Sequence, residues 1–121
     1  MRILIVEDSR SMRMILRRML IELGHTDLDE AEHGGDALLR MEENPPQLVL
    51  VDWNMPVMNG LELVQAVRSE RRYDKVKLMM VTSESSPRLV YEALKAGADE
   101  YAMKPITAEV IEDKLSLLGL A

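Results

Sequence analysis

Five consecutive residues near the middle of the chain, Leu48-Val49-Leu50-Val51-Asp52, decide the fold. Four apolar residues in an unbroken run predict a short strand that is buried on both faces, as in a parallel sheet. Ile3–Val6 and Val76–Val81 are runs of the same kind, and weaker strands are expected at Leu28–Ala31 and Glu100–Met103. The sequence therefore predicts five strands, with the quoted run third along the chain.

The segments between these strands have the spacing of amphipathic helices. In the first of them, apolar residues recur at intervals of three and four, and Ser9 and Gly24 suit its start and its end. Strands that alternate with helices over 121 residues predict a doubly wound (βα)5 fold of the flavodoxin-like kind, an open five-stranded parallel sheet within one domain spanning residues 1–121. A closed eight-unit barrel would need about twice this length. Further start and stop signals are Pro45-Pro46 after the second helix, Asn59-Gly60 before the third, Ser86-Pro87 and Gly97 around the fourth, and Thr107 before the fifth.

Composition excludes several classes of function. The chain has no cysteine, so disulfide frameworks, thiolate zinc sites and cysteine nucleophiles are ruled out. Its 21 acidic residues against 15 basic ones give a net charge of −6, which argues against nucleic-acid binding. No apolar run approaches the roughly 18 residues of a membrane span, and the N-terminus does not read as a signal peptide. We therefore expect a cytoplasmic protein that binds neither nucleic acid nor membrane.

Polar side chains with complementary chemistry follow four of the predicted strands. Glu7 and Asp8 come after the first strand, Asp52 after the third, Thr82 at the end of the fourth and Lys104 after the fifth. In open sheets of this kind, ligands bind at the carboxyl ends of the strands. Alone, a strand-end Asp suits a turn and an acidic pair suits a helix N-cap. Together, in this order, the five side chains are expected to share one crevice.

The chemistry of such a crevice points to phosphoryl transfer. Three carboxylates repel one another unless a cation lies among them, and Mg²⁺ prefers one or two carboxylates together with water and phosphate oxygens. A carboxylate such as Asp52 can also attack phosphorus and form an aspartyl-phosphate. Phosphoryl transfer needs mainly positioning and charge neutralisation, which Mg²⁺ and Lys104 would supply, while the Thr82 hydroxyl could donate to a phosphoryl oxygen.

Over essentially its whole length, the chain resembles the receiver domain of two-component response regulators. The motifs that carry the resemblance are Val6-Glu7-Asp8, the run from Asp52 to Gly60, Thr82 and Lys104-Pro105. In character it is most similar to the single-domain chemotaxis members, because Trp53 and Asn54 directly follow the acceptor position, Glu84 lies two residues after Thr82, and Tyr101 lies three before the lysine.

The resemblance assigns a role to each matching position. It implies that Asp52 is the phospho-acceptor, that Lys104 contacts the phosphoryl group, and that Thr82 and Tyr101 form the switch. It implies a Mg²⁺ ion, with Mn²⁺ as an alternative. It also implies a cis peptide bond between Lys104 and Pro105. The implied metal ligands are Glu7, Asp8, Asp52 and the backbone carbonyl of Asn54, and the implied lifetime-tuning residues are Asn54 and Glu84.

The resemblance further implies partners and a mode of action. A histidine kinase or a histidine phosphotransfer domain would donate the phosphoryl group, and a phosphatase could remove it. The phosphorylated chain, expected to be a monomer, would bind a protein target in chemotaxis or flagellar-motor control through its fourth helix, fifth strand and fifth helix. It would catalyse only its own phosphorylation and dephosphorylation. A phosphorelay shuttle, a phosphate sink and a receiver module cut from a larger transcriptional regulator remain alternatives.

Rival functions on a similar sheet fit the residues less well. An aspartyl-phosphate phosphohydrolase usually has a second acidic residue two positions after its nucleophile, where this chain has Asn54. A flavin or nucleotide site would need a glycine-rich phosphate loop after the first strand, where Glu7-Asp8-Ser9 would repel phosphate without a metal.

Two further expectations concern the surroundings of the crevice. Trp53 is expected to be half-exposed beside Asp52. Arg10, Arg13 and Arg17 lie at i, i+3 and i+7 of the first helix and are expected to form either a solvated face or a docking surface for the phosphodonor.

Overall fold

The computed structural model describes residues 1–120, in which strands and helices alternate in the predicted order. A short 3₁₀ helix over Arg71–Tyr73, which the sequence pattern does not indicate, precedes the fourth strand. The strands are β1 (Ile3–Val6), β2 (Leu28–Ala31), β3 (Leu48–Val51), β4 (Lys77–Thr82) and β5 (Glu100–Met103). The helices are α1 (Arg10–Glu22), α2 (Gly34–Glu43), α3 (Gly60–Arg68), α4 (Pro87–Ala96) and α5 (Ala108–Leu117).

The five strands form one parallel sheet in the order β2-β1-β3-β4-β5. The chain runs outward from β1 to β2, crosses back to β3 and then continues to β4 and β5. This reversal makes the gap between β1 and β3 the switch point of a doubly wound sheet, where such folds bind their ligands at the carboxyl edge. The predicted fold class is therefore confirmed.

Each face of the sheet has its own apolar core, because successive strand residues point to opposite sides. Leu4 and Val6 of β1 pack with residues of α2, α3 and α4. Ile3 and Ile5 of the same strand pack with residues of α1 and α5. The unbroken apolar runs of the sequence follow from this burial on both faces.

Two helix starts, at Ser9 and at Thr107, have the side-chain caps that the sequence predicts. Ser9 accepts a hydrogen bond from the amide of Met12 at 3.3 Å, and Thr107 caps α5 in the same way. Asn59 and Glu62 form a reciprocal capping box at the start of α3. Ser86 occupies the N-cap position of α4 and Pro87 the first helical position, as predicted, although the Ser86 side chain makes no capping hydrogen bond.

The length and hydropathy of a helix decide whether it can cross a membrane. Within residues 1–120, no helix combines the length and the apolar character that crossing a bilayer requires.

Candidate functional site

Three carboxyl groups meet at the carboxyl edge of the sheet, beside the switch point. One oxygen from each of Glu7, Asp8 and Asp52 lies within 4.8 Å of the other two. The register explains the meeting, because Val6 of β1 pairs with Val51 of β3 and the next residue of each strand leaves the sheet at the same level. The cluster that the strand-end residues predict is therefore present.

Burial makes this cluster costly without a cation. Glu7 and Asp52 are buried, whereas Asp8 is exposed. Within residues 1–120, Asp52 Oδ1 is buried and accepts no hydrogen bond. A buried carboxylate oxygen without a partner raises the free energy of the folded state, so this atom points to a ligand. Hard carboxylate oxygens at this spacing fit a divalent metal ion.

Lys104 lies at one corner of the cluster and is closer to Glu7 than to Asp52. Its Nζ is 2.6 Å from Glu7 Oε1 and 3.5 Å from Asp52 Oδ2. The Lys104–Pro105 peptide bond is cis, and the Lys104 amide donates to the carbonyl of Thr82 at 2.9 Å. The lysine is therefore anchored by the backbone at the end of β5, with its charge between two carboxylates.

The pKa of Glu7 shows the balance of forces in the crevice. Burial raises this pKa above its ordinary value of 4.5, and the negative charge of Asp52 raises it further. The hydrogen bonds from Lys104 and from the Ser9 amide lower it, but they do not overcome the effect of burial. The charge of Lys104 alone therefore does not offset the negative charge of the cluster, and a further cation would stabilise it.

The loop after β4 is held by both predicted switch residues. Thr82 is buried, and its Oγ1 accepts a hydrogen bond from the Glu84 amide at 3.3 Å. The Tyr101 ring is buried, and its hydroxyl donates to the Glu84 carbonyl at 2.6 Å. Burial raises the pKa of this hydroxyl, which keeps it a donor. Thr82 and Tyr101 thus contact the two ends of the same peptide segment.

Asn54 and Glu84 bridge the entrance to the crevice. Asn54 Nδ2 donates to Glu84 Oε1 at 2.9 Å and connects the loop after β3 with the loop after β4. Asn54 is exposed and Glu84 is half-buried. The sequence places both residues near Asp52 but does not indicate this direct contact, which depends on the path of two loops.

Gly60 lets the start of α3 pack against the backbone of Asp52. Its amide donates to the carbonyl of Trp53 at 2.8 Å. A Cβ at this position would collide with the carbonyl oxygen of Asp52 and approach Trp53 Cα to 2.9 Å. Any residue larger than glycine would therefore push on the segment that holds the candidate acceptor.

Trp53 corrects one sequence prediction. The residue is only 8% exposed, not half-exposed, and belongs to the core on the α2–α4 side. Val49 and Val51 belong to the same core, so Trp53 continues their alternation beyond the end of β3. That alternation was the signal that could have predicted its burial.

Arg13 corrects a second prediction. A solvated or docking stripe through Arg10, Arg13 and Arg17 is wrong for its middle member, because Arg13 is buried. Its Nη1 donates to the carbonyls of Glu7 at 2.7 Å and Asp8 at 3.2 Å. The available signal was helical spacing, since Arg13 shares its face of α1 with the buried residues Leu16 and Leu20.

Comparison with known proteins agrees with this geometry. The family model of the response regulator receiver domain matches residues 3–116. The chain belongs to this family. It is 47% identical to a chemotaxis protein CheY homolog of Campylobacter jejuni over 95% of this chain and 89% of that protein. It is 44% identical to the chemotaxis protein CheY1 of Helicobacter pylori over 98% and 96% of the two chains.

A solved structure supports the same assignment of fold. The chemotaxis protein CheY4 of Vibrio cholerae superimposes with a TM-score of 0.89 at 32% identity, over 97% of each chain. Receivers of the CheY type are signalling switches that interact with histidine kinases and with downstream protein targets, rather than enzymes in the ordinary sense. The acidic cluster of Glu7, Asp8 and Asp52 could hold a metal ion, which is consistent with a receiver domain.

Proposed function

We propose that this receiver is a cytoplasmic switch that takes a phosphoryl group from a histidine kinase, or from a histidine phosphotransfer domain, onto Asp52. The phosphorylated form then binds a protein target in chemotaxis or flagellar-motor control. The observation that carries the proposal is the buried Asp52 Oδ1, which accepts no hydrogen bond within residues 1–120 and lies in a cluster suited to a divalent cation. The named relatives support the chemotaxis assignment.

The proposed transfer is a single displacement at phosphorus. A carboxylate oxygen of Asp52 forms a bond to phosphorus, the phosphorus–nitrogen bond of phosphohistidine breaks, and its electron pair returns to the imidazole. Lys104, 3.5 Å from Asp52, would donate to a phosphoryl oxygen and so offset the charge that builds up there. Glu7 and Asp8 would give that site enough negative charge to hold a cation.

A bound Mg²⁺ would offset the repulsion between the carboxylates and the incoming phosphoryl oxygens. The proposed protein ligands are Asp8, Asp52 and the backbone carbonyl of Asn54, with Glu7 closing the acidic pair. Mn²⁺ would be an alternative ion for the same oxygen ligands.

The proposed switch acts through the loop after β4. Once Asp52 carries a phosphoryl group, the Thr82 hydroxyl would turn toward it and release the Glu84 amide that it now accepts from. The Tyr101 ring points inward, and its hydroxyl donates to the Glu84 carbonyl. This arrangement supports a population shift, in which phosphorylation stabilises a conformation that the unphosphorylated protein already populates. Tyr101 lies on β5, so its position affects the α4-β5-α5 face.

The α4-β5-α5 face is the proposed target surface. Tyr91 and Leu94 of α4 are 63% and 45% exposed, and Met103 of β5 and Val110 of α5 add to the same exposed apolar set. Lys95 lies over the Tyr91 ring at 5.9 Å and places a positive charge beside these side chains. A monomeric receiver with this face free would suit a target that combines apolar and acidic side chains. A phosphate sink would not need such a face.

The bridge between Asn54 and Glu84 is the proposed control on lifetime. Water must reach the phosphorus on the side opposite Asp52 to hydrolyse the acyl phosphate, and the two bridged side chains flank that approach. A phosphatase would act by opening the bridge or by positioning a water molecule within it.

The proposal is tested by intact-protein mass spectrometry after incubation with acetyl phosphate, with and without Mg²⁺. Asp52→Asn is the loss-of-acceptor variant, and Asp113→Asn on the exposed surface of α5 is its matched control. We expect one Mg²⁺-dependent phosphoryl adduct in the wild type and in the control, and none in Asp52→Asn. A stoichiometric adduct on Asp52→Asn would overturn the assignment of the acceptor.

A further inference from the structure

Arg13 is a buried cation directly behind the acidic cluster. Its guanidinium donates to two successive carbonyls, those of Glu7 and Asp8, and its Nε donates to Glu30 Oε1 at 3.2 Å. Arg17 donates to the other oxygen of Glu30 at 3.0 Å. Since Glu30 lies on β2, these contacts connect α1 and the edge strand to the turn between β1 and α1.

This turn carries two of the three carboxylates in the cluster. Glu7 is held by its amide, which donates to Ala31, and by its own side chain, which accepts from the Ser9 amide at 3.2 Å. Asp8 is exposed, so packing does not fix the direction of its side chain. The Asp8–Ser9 peptide group is thus held at both ends, its amide by the Glu7 side chain and its carbonyl by Arg13 at 3.2 Å.

The planar guanidinium suits this task better than an ammonium would. Its Nη1 donates to both carbonyls while its Nε, fixed in the same plane, donates to Glu30, whereas lysine offers a point charge on a flexible stem. Its positive charge is paired with Glu30 at 3.2 Å, so it adds little repulsion toward a cation in the cluster. Because the turn is already held in the free protein, it loses less conformational freedom when a ligand binds, which favours binding.

We propose that Arg13 is a positioning residue for the metal site: it holds the backbone of Glu7 and Asp8 so that their carboxylates face the cation beside Asp52. This inference rests on the proposed function, because the cation is the one that phosphorylation of Asp52 would use. Arg13 touches neither the ion nor the phosphoryl group. It acts through the backbone of residues that would bind the ion, as outer partners of metal ligands do.

The chain offers a matched control in Arg68. This arginine also gathers backbone carbonyls, those of Gly97, Tyr73 and Val76, at distances of 2.8 to 3.0 Å. Its carbonyls lie at the opposite edge of the sheet, far along the chain and the strands from Asp52. Arg68→Met therefore removes an arginine that holds backbone carbonyls in the same way, without touching the acidic turn.

The test is the affinity for Mg²⁺ alone, measured by calorimetric titration of the unphosphorylated protein. Wild type, Arg13→Met, Arg13→Lys and Arg68→Met are compared at a temperature at which circular dichroism shows each to be folded. We expect Arg13→Met to bind Mg²⁺ about tenfold more weakly, Arg13→Lys to recover part of the loss, and Arg68→Met to bind as the wild type does. If Arg13→Met does not fold, the same ordering is required of Arg13→Lys against Arg68→Met.

Amide hydrogen exchange without metal gives a second readout. We expect exchange at Ser9 and Arg10 to accelerate more in Arg13→Met than exchange at the core strands, because the turn loosens locally. Unchanged Mg²⁺ affinity in the Arg13 variants, or an equal loss in Arg68→Met, would overturn the positioning role while leaving the proposed function intact. A wild-type protein that binds Mg²⁺ not at all would instead overturn the proposed function.

Discussion

The two edges of the sheet differ in how fully their polar groups are hydrogen-bonded. At the amino edge, Arg68 donates to three carbonyls and to Asp99, and Asp99 in turn accepts from the amide of Leu78. At the carboxyl edge, Asp52 Oδ1 is buried and accepts no hydrogen bond within residues 1–120. The first edge satisfies its own groups, and the second leaves a strong acceptor ready for a ligand.

Two glutamates make the same comparison with one residue type. Glu7 at the carboxyl edge accepts from Lys104 at 2.6 Å, and Glu100 at the start of β5 accepts from Lys114 at 2.9 Å. Burial dominates at Glu7 and its pKa is raised. Burial also opposes ionisation of Glu100, but the hydrogen bonds from Lys114 and the Tyr101 amide outweigh it, so its pKa is lowered.

The difference shows that a lysine partner does not by itself lower the pKa of a carboxyl group. Glu7 is more deeply buried and lies beside a second carboxylate, Asp52, whereas Glu100 has a cation and an amide and no such neighbour among the causes of its shift. Stability is concentrated at one edge of the sheet and binding capacity at the other. Substitutions at each edge test this division.

The largest expected effect on stability is at the amino edge. Arg68→Met should lower the free energy of unfolding by about 3 kcal/mol, because three part-buried carbonyls and Asp99 lose a charged donor together. Urea unfolding measures it. Arg88→Met is the control, since Arg88 is exposed, pairs only with Glu92 of its own helix within residues 1–120, and should change stability by less than about 0.5 kcal/mol. A loss below about 1 kcal/mol in Arg68→Met would contradict the division.

The next effect is at the carboxyl edge, where packing and chemistry meet. Gly60→Ala should lower the free energy of unfolding by about 2 kcal/mol, because the new Cβ collides with the Asp52 backbone. It should also reduce the yield of phosphoryl adduct from acetyl phosphate. Gly35→Ala is the control, since its Cβ would meet the His33 ring at an ordinary 3.4 Å and alanine favours the helix. Equal stability of the two variants would show that the approach at Gly60 is not restrictive.

Much of this arrangement could be predicted from the sequence because strand ends are visible in it. The run Leu48–Val51 is followed at once by Asp52, and the strand Ile3–Val6 by Glu7 and Asp8, so the fold itself brings these side chains to one edge. The helix signals worked for the same local reason, since caps such as Ser9 act within three residues of their own position.

The sequence was less informative where a side chain depends on distant backbone. The role of Arg13 requires the path of the turn after β1, and its charge suggested a solvated position instead. The bridge from Asn54 to Glu84 joins residues 30 apart on two loops. The 3₁₀ helix at Arg71–Tyr73 has no apolar period, and it forms where the buried Tyr73 ring packs into the core.

A third test compares how Glu7 and Glu100 change the stability of the metal-free protein as pH varies. A raised pKa means that folded Glu7 keeps a proton that the unfolded chain has lost, so its contribution to stability falls as pH rises from 4.5 through the folded pKa. Glu100, with a lowered pKa, stabilises the fold above 4.5 and loses this contribution as pH falls through its folded pKa.

Urea unfolding of Glu7→Gln and Glu100→Gln in a metal chelator, between about pH 2.5 and 8, measures these two contributions. Relative to wild type, Glu7→Gln should gain stability as pH rises above 4.5. Glu100→Gln should be less stable than wild type at neutral pH, by up to about 1 kcal/mol, and should approach it in acid. Parallel pH profiles for the two variants would refute the opposition between the edges.

The smallest effect concerns strain in the loop after β3. Val57 has a φ of 67° although it is β-branched, and its side chain is fully exposed. Asparagine tolerates this left-handed conformation better, so Val57→Asn should raise the free energy of unfolding by about 1 kcal/mol, and Val57→Ile, which keeps the branch, should not. Urea unfolding distinguishes the two, and adduct formation at Asp52 should be unchanged in both. A gain in Val57→Asn alone would place stored backbone strain at the same edge as the unpartnered carboxylate, whereas equal stability would leave the electrostatics of the cluster as the source of the contrast.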